Sequence, residues 1–130
     1  MTSIDSFLAV HANAITLRSA RAELLAGNLA NSDTPGYRPQ DFDFATALKH
    51  ANASSRVQTT TTHNLHLPVG SMRPEPRTFF RDSPQRSLDK NTVNSEYERV
   101  QFAENDVRYQ ASVQFLTNRI SKLVRAIRGE

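Results

Sequence analysis

The chain has 130 residues, a length that accommodates one domain with a modest core. It carries a formal net charge of +3 and no cysteine, which excludes disulfides, a thiolate nucleophile and a thiolate metal site. Hydrophobic residues make up only 38% of the chain, which favours either a long segment without a core of its own or a surface completed by partners.

The first predicted element is a helix from about Ile4 to Ala30. Its apolar residues recur in steps of four and three, interrupted by His11 and Arg18, and no proline or glycine occurs before Gly27. The predicted packing residues of this helix are Ile4, Leu8, Ile15, Leu25 and Leu29. Charged and polar residues break up this apolar pattern, so we expect no cleaved signal peptide, and no run approaches the roughly 20 apolar residues of a membrane span.

The stretch GNLANSDTPGYRPQDFDF, residues 27–44, ends the helix abruptly. Asparagine, serine and aspartate at positions 31–33 suit a helix end because their side chains compete for backbone hydrogen bonds. Pro35 and Gly36 fit the centre of a type II turn, since proline presets φ and glycine accepts a positive φ. We therefore predict a fixed elbow that redirects the chain and docks it through aromatic residues. Its predicted site residues are Asn28, Asn31, Thr34, Pro35, Gly36, Tyr37, Phe42 and Phe44.

Residues 45–90 lack periodicity, and their prolines and polar clusters rule out a long helix. Two short stretches, RVQTTTT and RTFFR, have strand-like composition and allow a small β-hairpin. Seven basic and three acidic residues between positions 45 and 92 make this the most basic part of the chain. A solvated linker explains that excess more simply than a nucleic-acid surface, because no recognition helix or aromatic sheet platform is present.

No constellation for catalysis or metal binding stands out. His63 and His66 are three residues apart, but no nearby carboxylate or cysteine completes a tetrahedral site. The carboxylates of Asp33, Asp41 and Asp43 lack an accompanying base or pocket, so capping and turn roles explain them more simply. We predict no catalytic site, no metal and no cofactor.

The last predicted element is a helix over residues 95–128. It begins at Asn94 or Ser95, where Ser95 and Glu98 fit a capping box, and Gly129 follows its end. The predicted packing residues, which keep the four-and-three spacing of a helix seam, are Tyr109, Val113, Leu116, Ile120, Leu123 and Ile127.

These elements predict an all-α fold in which two long terminal helices pack as an antiparallel, coiled-coil-like hairpin. A long loop with a small β-hairpin joins them. Residues 1–34 and 91–130 would form a discontinuous helical core, and residues 35–90 the elbow and an extended linker. Because each helix presents more apolar width than one neighbour covers, we expect partner helices from other molecules.

The stretch RAELLAGNLANSDTPGYRPQDFDF resembles the N-terminal signature of bacterial flagellar axial proteins, which comprise the rod, hook and hook-associated families. That signature is a leucine-rich helix, two asparagines three residues apart, and the sequence Thr-Pro-Gly-Tyr. The stretch SLDKNTVNSEYERVQFAENDVRYQASVQFLTNRISKLVRAIRGE resembles the short proximal-rod proteins among them. Lys90 stands where this family often has glycine, and Asn94 and Ser95 stand where acids are common.

The resemblance implies a non-enzymatic structural subunit of the flagellar proximal rod, in which helical cores stack helically. Implied partners are copies of itself, other rod proteins, the rod-base adaptor protein, the MS ring and the export gate, with no nucleic acid and no membrane span. It also implies export by the flagellar type III apparatus, without a cleaved signal peptide, to the periplasmic rod. Two alternatives stay open: the other short proximal-rod protein of this family, and a regulatory coiled coil that binds nucleic acid through its basic middle.

Overall fold

A computed structural model describes residues 3–54, 76–81 and 90–129 of the chain. In chain order the elements are α1 (Ser3–Ala30), β1 (Gln40–Phe42), α2 (Phe44–Ser54), β2 (Thr78–Phe80) and α3 (Ser95–Arg128). The predicted all-α class, with two long terminal helices and a small sheet between them, is confirmed. None of the helices in the described part of the chain is long and apolar enough to cross a membrane.

The terminal helices α1 and α3 pack against each other in opposite directions. Asn28, near the end of α1, bonds Glu98 near the start of α3, whereas Arg18 bonds Ser112 farther along α3. The buried residues of α3 are Glu98, Asn105 and Ser112, which are seven positions apart and therefore share one stripe of the helix. The helix thus turns a polar row towards α1.

The small sheet pairs β1 with β2 in antiparallel fashion, with Asp41 opposite Phe79. The predicted strand in RTFFR is confirmed, but its partner is residues 40–42 of the elbow rather than the next strand of a hairpin. Residues 56–62, the RVQTTTT stretch, lie outside the described residues. The elbow favours this pairing because it brings residues 40–42 back along α1, where Asn28 bonds the backbone of Gln40.

Helix α2 was not predicted, and it covers one side of α1. Asp43 caps its start, since the Asp43 carboxylate accepts hydrogen bonds from the Ala45 backbone N–H at 3.0 Å and the Thr46 hydroxyl at 2.5 Å. The Thr46 hydrogen bond is the main reason why the pKa of Asp43 is lowered. The apolar core lies between α1, β1 and α2, and consists of buried Leu17, Phe42 and Ala51 with Ala20, Leu24, Phe44, Ala47 and Leu48 packed against them.

Helix α3 begins and ends with different capping arrangements. The N-cap is Asn94, whose side-chain oxygen accepts from the Tyr97 backbone N–H at 3.1 Å. The prediction of a capping box between Ser95 and Glu98 is wrong. Glu98 is 2% exposed and bonds Asn28 instead of reaching back to the start of the helix. At the other end Gly129 adopts φ 78° and donates to the carbonyl of Arg125, as in an αL cap.

Replacing the N-cap gives a direct test of this assignment. Asn94→Ala should lower the free energy of unfolding by about 1 kcal/mol, because the Tyr97 N–H loses its acceptor. Ser95→Ala, the matched control, should change it by less than about 0.5 kcal/mol. Urea denaturation followed by far-UV circular dichroism measures both, and a larger loss for Ser95→Ala would contradict the assignment.

Candidate functional site

The elbow after α1 is built on a tight turn over residues 34–37. The Tyr37 backbone N–H donates to the Thr34 carbonyl at 3.3 Å, and Gly36 adopts φ 74°. These are the features of a type II turn with Pro35 and Gly36 at its centre. A Cβ added to Gly36 would meet no atom within 4 Å, so the positive φ, not crowding, favours glycine here.

Asn28 joins the end of α1 to β1 and α3. Its side chain is fully buried, donates from Nδ2 to the Gln40 carbonyl at 2.8 Å, and accepts at Oδ1 from the Gln40 N–H at 2.9 Å. The Asn28 Nδ2 also donates to Glu98 Oε2 at 3.1 Å, and the Tyr37 hydroxyl lies 3.4 Å from its Oδ1. The amide therefore pairs with the outer edge of β1 as a neighbouring strand would, and ties that edge to α3.

Two further asparagines bond carbonyls at the end of α1 and in the turn that follows it. Asn31 donates from Nδ2 to the Gly27 carbonyl at 2.8 Å and accepts from the Thr34 hydroxyl at 3.1 Å. Asn91, 6% exposed, directs its Nδ2 to the carbonyls of Asn31, Ser32 and Thr34 at 3.1, 2.6 and 2.9 Å. These carbonyls belong to the turn that follows α1, so Asn91 ties that turn to the segment that leads into α3.

That segment contains a residue in an unusual backbone conformation. Lys90 adopts φ 58°, the left-handed region that glycine enters without strain. Two residues later, the Thr92 N–H donates to the Tyr37 carbonyl at 3.1 Å, so the segment follows the elbow closely.

A group of two buried acids and two half-buried arginines lies beside Asn28. Arg21 contacts both carboxylate oxygens of Asp41, with its Nε at 3.0 Å and Nη2 at 2.9 Å, and this hydrogen bonding is the main reason why the Arg21 pKa is raised. Arg81 bonds Glu98 at 2.5 Å and lies 3.9 Å from the Asp41 carboxylate. The side chains of both acids are no more than 6% exposed. The group joins α1, β1, the residue after β2 and α3, and its two positive and two negative charges leave no net buried charge.

Arg18, which interrupts the apolar row of α1, connects three elements. Its Nε donates to the Ser112 hydroxyl at 3.0 Å, its carbonyl accepts from Asn105 Nδ2 at 2.9 Å, and its guanidinium lies 4.5 Å from the ring centre of Phe44. Burial is the main reason why the pKa of Arg18 is lowered. Arg18 therefore belongs to the contact between α1 and α3.

The predicted elbow residues fall into three groups by burial. Asn28 and Phe42 are buried, Asn31, Tyr37 and Phe44 are half-buried, and Thr34, Pro35 and Gly36 are exposed. The structure brings Asn28, Asn31, Thr34 and Tyr37 into mutual hydrogen bonding, whereas Phe42 and Phe44 lie at the apolar core.

The predicted helix-packing residues also separate by burial. Leu25 is buried, Leu8, Ile15, Leu29, Tyr109, Leu116 and Leu123 are half-buried, and Val113, Ile120 and Ile127 are exposed. The side chain of Ile4 lies outside the described part of the structure. These three exposed residues of α3, Val113, Ile120 and Ile127, are called its outer row, and they stay on the surface of the single chain.

Sequence reasoning missed the polar contacts between elements. Asp41 was assigned a capping or turn role, which is wrong, because it is the buried partner of Arg21. Asp43 does cap a helix, and Asp33 is exposed. The seven-residue spacing of Glu98, Asn105 and Ser112 was a usable signal for a polar helix contact. Nothing local in the sequence indicated that Arg81 or Asn91 would reach this site.

Between α1 and α3 lies an open groove of about 210 Å³, lined by Ser19, Ala22, Phe102, Asn105, Asp106 and Tyr109. No group of three or more histidine, aspartate or glutamate side chains within the described residues could hold a metal ion. His63 and His66 lie outside the described residues.

Changing the amide of Asn28 to a carboxylate should disrupt the site. Asn28→Asp removes the donors to Gln40 and Glu98 and places a second carboxylate beside Glu98. It should lower the free energy of unfolding at neutral pH by about 2–4 kcal/mol. The loss should shrink as the pH falls and the new carboxyl, whose pKa is raised by Glu98, takes up a proton.

Asn52→Asp is the matched control, since Asn52 accepts a hydrogen bond from Asn13 in a partly exposed position and the carboxylate keeps that acceptor. Urea denaturation at several pH values measures both variants. Equal losses for the two variants would show that the Asn28 contacts do not stabilise the fold.

Comparison with known proteins identifies the family. Residues 8–38 match the family described as Flagella basal body rod protein. The chain is 42% identical to the flagellar basal body rod protein FlgB of Cereibacter sphaeroides over 130 residues, which cover all of both chains. It is 37% identical to the protein of that name from Escherichia coli K12 over 99% of this chain and 98% of the relative. For Salmonella typhimurium the identity is 36%, over 97% and 96%. The chain therefore belongs to the flagellar basal-body rod proteins, a family of structural components of the flagellum and not of enzymes.

Proposed function

We propose that this chain is a subunit of the proximal part of the flagellar rod, and that it assembles with copies of itself and with other rod proteins through its terminal helices. The full-length identity to rod proteins favours this function over a regulatory nucleic-acid-binding protein. The observation that supports this proposal most directly is the distribution of apolar side chains on α3.

Helix α3 leaves most of its large apolar side chains exposed. Of the twelve large hydrophobic residues that are exposed in the described part of the chain, nine lie on α3. They include Val100, Val107 and Phe115, which are 62%, 67% and 61% exposed. Exposed apolar surface of this extent marks an interaction surface, and burying one such side chain contributes roughly 1.5–3 kcal/mol. Helices of neighbouring subunits would cover it in the rod.

The elbow has a geometric role in this proposal. The turn over residues 34–37, Asn28 and Asn91 hold the end of α1, β1 and the start of α3 in one arrangement. A subunit that must fit between identical neighbours needs its helices at a constant angle, because an error repeats at every contact. The role of the elbow is therefore to fix the angle between the helices, not to provide a catalytic group.

Further partners follow from membership of this family as proposals. They are the rod-base adaptor protein, the MS ring and the flagellar export gate. The subunit would reach the periplasmic rod through the flagellar type III apparatus without a cleaved signal peptide. Within the family, the alternative to a FlgB-like subunit is the other short protein of the proximal rod. Locating the subunit along an isolated rod by immunoelectron microscopy decides between these two assignments.

Deletion of the gene tests the proposed function. We expect non-motile cells whose basal bodies, viewed by electron microscopy, lack a complete rod. Expression of the unaltered chain from a plasmid should restore both motility and rods. Motile cells with complete rods in the deletion strain would rule the proposal out.

The elbow gives a second prediction in the same strain. Pro35→Ala combined with Gly36→Ala should abolish or strongly reduce rod assembly, while circular dichroism shows nearly unchanged helix content. The reason is that alanine at φ 74° costs roughly 1–2 kcal/mol, which loosens the turn without removing a helix contact.

Pro35→Ala alone is the control, because it leaves the glycine that accepts the positive φ in place. It should support rod assembly better than the double variant does. Normal rods in the double variant would refute the geometric role.

A further inference from the structure

The groove between α1 and α3 combines apolar, small and acidic lining residues. Its α1 wall consists of the small residues Ser19 and Ala22, and its α3 wall is formed by Phe102 and Tyr109 around an open volume of about 210 Å³. Phe102 is 39% exposed, so its ring is available to an incoming side chain. Small residues on one wall allow a third helix to approach closely.

One acid lines this groove, and a second follows its α1 wall in the sequence. Asp106 lines it directly, and its carboxylate accepts a hydrogen bond from the Gln110 side chain. Glu23, the residue after Ala22, is exposed on α1. A cationic, apolar helix would therefore find both apolar contacts and opposite charge here.

The C-terminal half of α3 has the complementary character. Between residues 107 and 129 the chain has no acid and five basic residues, namely Arg108, Arg119, Lys122, Arg125 and Arg128. The same half exposes Ile120 by 46%, Val124 by 39% and Ile127 by 86%. Attraction to the negative helix end explains the bases of the last turn, but it falls off within that turn and does not explain Lys122.

One copy cannot bring these two surfaces together. Asp106 and Lys122 lie on the same continuous helix, 16 residues and therefore about 24 Å apart. Only a second copy can place the basic end of α3 in the groove.

We propose that residues 113–128 of one copy lie in the α1–α3 groove of the next copy, with Lys122 and Arg125 facing Asp106 and Glu23. The contact uses two different surfaces, so each copy in a stack receives one neighbour and reaches into another. Its open-ended character rests on the proposed rod function, since a rod needs a contact that continues. Because the two contact surfaces differ, all copies in the stack would point the same way along α3.

Disulfide cross-linking tests the contact cleanly because the chain contains no cysteine. Purified Ser19→Cys, with its thiol at the groove, is mixed with Val124→Cys and oxidised at high protein concentration. We expect a covalent heterodimer well above the level formed by either variant alone. The double variant, Ser19→Cys with Val124→Cys, should form a ladder of oligomers on non-reducing gels.

Lys49→Cys, which is exposed on α2 and does not line the groove, replaces Ser19→Cys in the control mixture and should cross-link only at background. No excess of the Ser19–Val124 product over this background would overturn the proposal. A double variant that stops at the dimer would also overturn it, because a closed two-fold pair would then explain the contact.

Charge reversal supplies an independent measurement. Asp106→Lys in the cysteine variants should reduce the yield of cross-linked product about two- to fivefold at low salt, as expected for an exposed ion pair. Adding Lys122→Asp should restore it, whereas a further loss would contradict the pairing. The deletion strain tests the rod function separately, so missing rods together with absent cross-links would reject this contact alone.

Discussion

The buried amide of Asn28 is the contact on which the arrangement of the other elements depends. It lies at the point where α1 ends, and it bonds the backbone of Gln40 in both directions while donating to Glu98. A buried amide left without partners costs about 1–3 kcal/mol, so each of these groups must be held where the amide can reach it. The end of α1, the outer edge of β1 and the start of α3 are thereby positioned together. The turn at residues 34–37 and the carbonyl contacts of Asn91 are then built between elements whose relative position is fixed.

Around this amide the usual distribution of polar and apolar groups is partly reversed. The contact between α1 and α3 contains Glu98, Asn105 and Ser112, whereas large apolar side chains of α3 face outward. Hydrogen-bonded and charged pairs are directional, so they select one register between two helices that could otherwise slide. Apolar contacts are less directional and scale with area, which suits surfaces that are covered only on assembly. This division fits a family of structural rod components, because the subunit needs a defined shape before it meets its neighbours.

The sequence predicted the elements that depend on local pattern. Apolar periodicity located α1 and α3, and proline and glycine located the turn. Helix α2 was missed because residues 45–90 were treated as one polar block, although four alanines and the Asp43 cap favour a helix over residues 44–54. The partner of β2 was missed because β1 has only three residues and lies 38 positions before it. Glu98 was assigned to a capping box because its spacing from Ser95 fits one, but the buried contact with Asn28 and Arg81 is stronger.

By itself, then, the sequence determined where the long helices run, where the chain must turn and, through the signature around residues 24–37, which family it resembles. These features depend on residues within a few positions of one another, so they can be recognised from the local sequence pattern. Only the tertiary structure decided that Asp41 pairs with Arg21, that Glu98 meets Asn28 and Arg81, and that the outer row of α3 remains exposed. Those contacts join residues between 17 and 70 positions apart, and local periodicity does not identify which distant side chains pair with each other. Burial, which raises the cost of every unpaired polar atom, selects them only once the helices have come together.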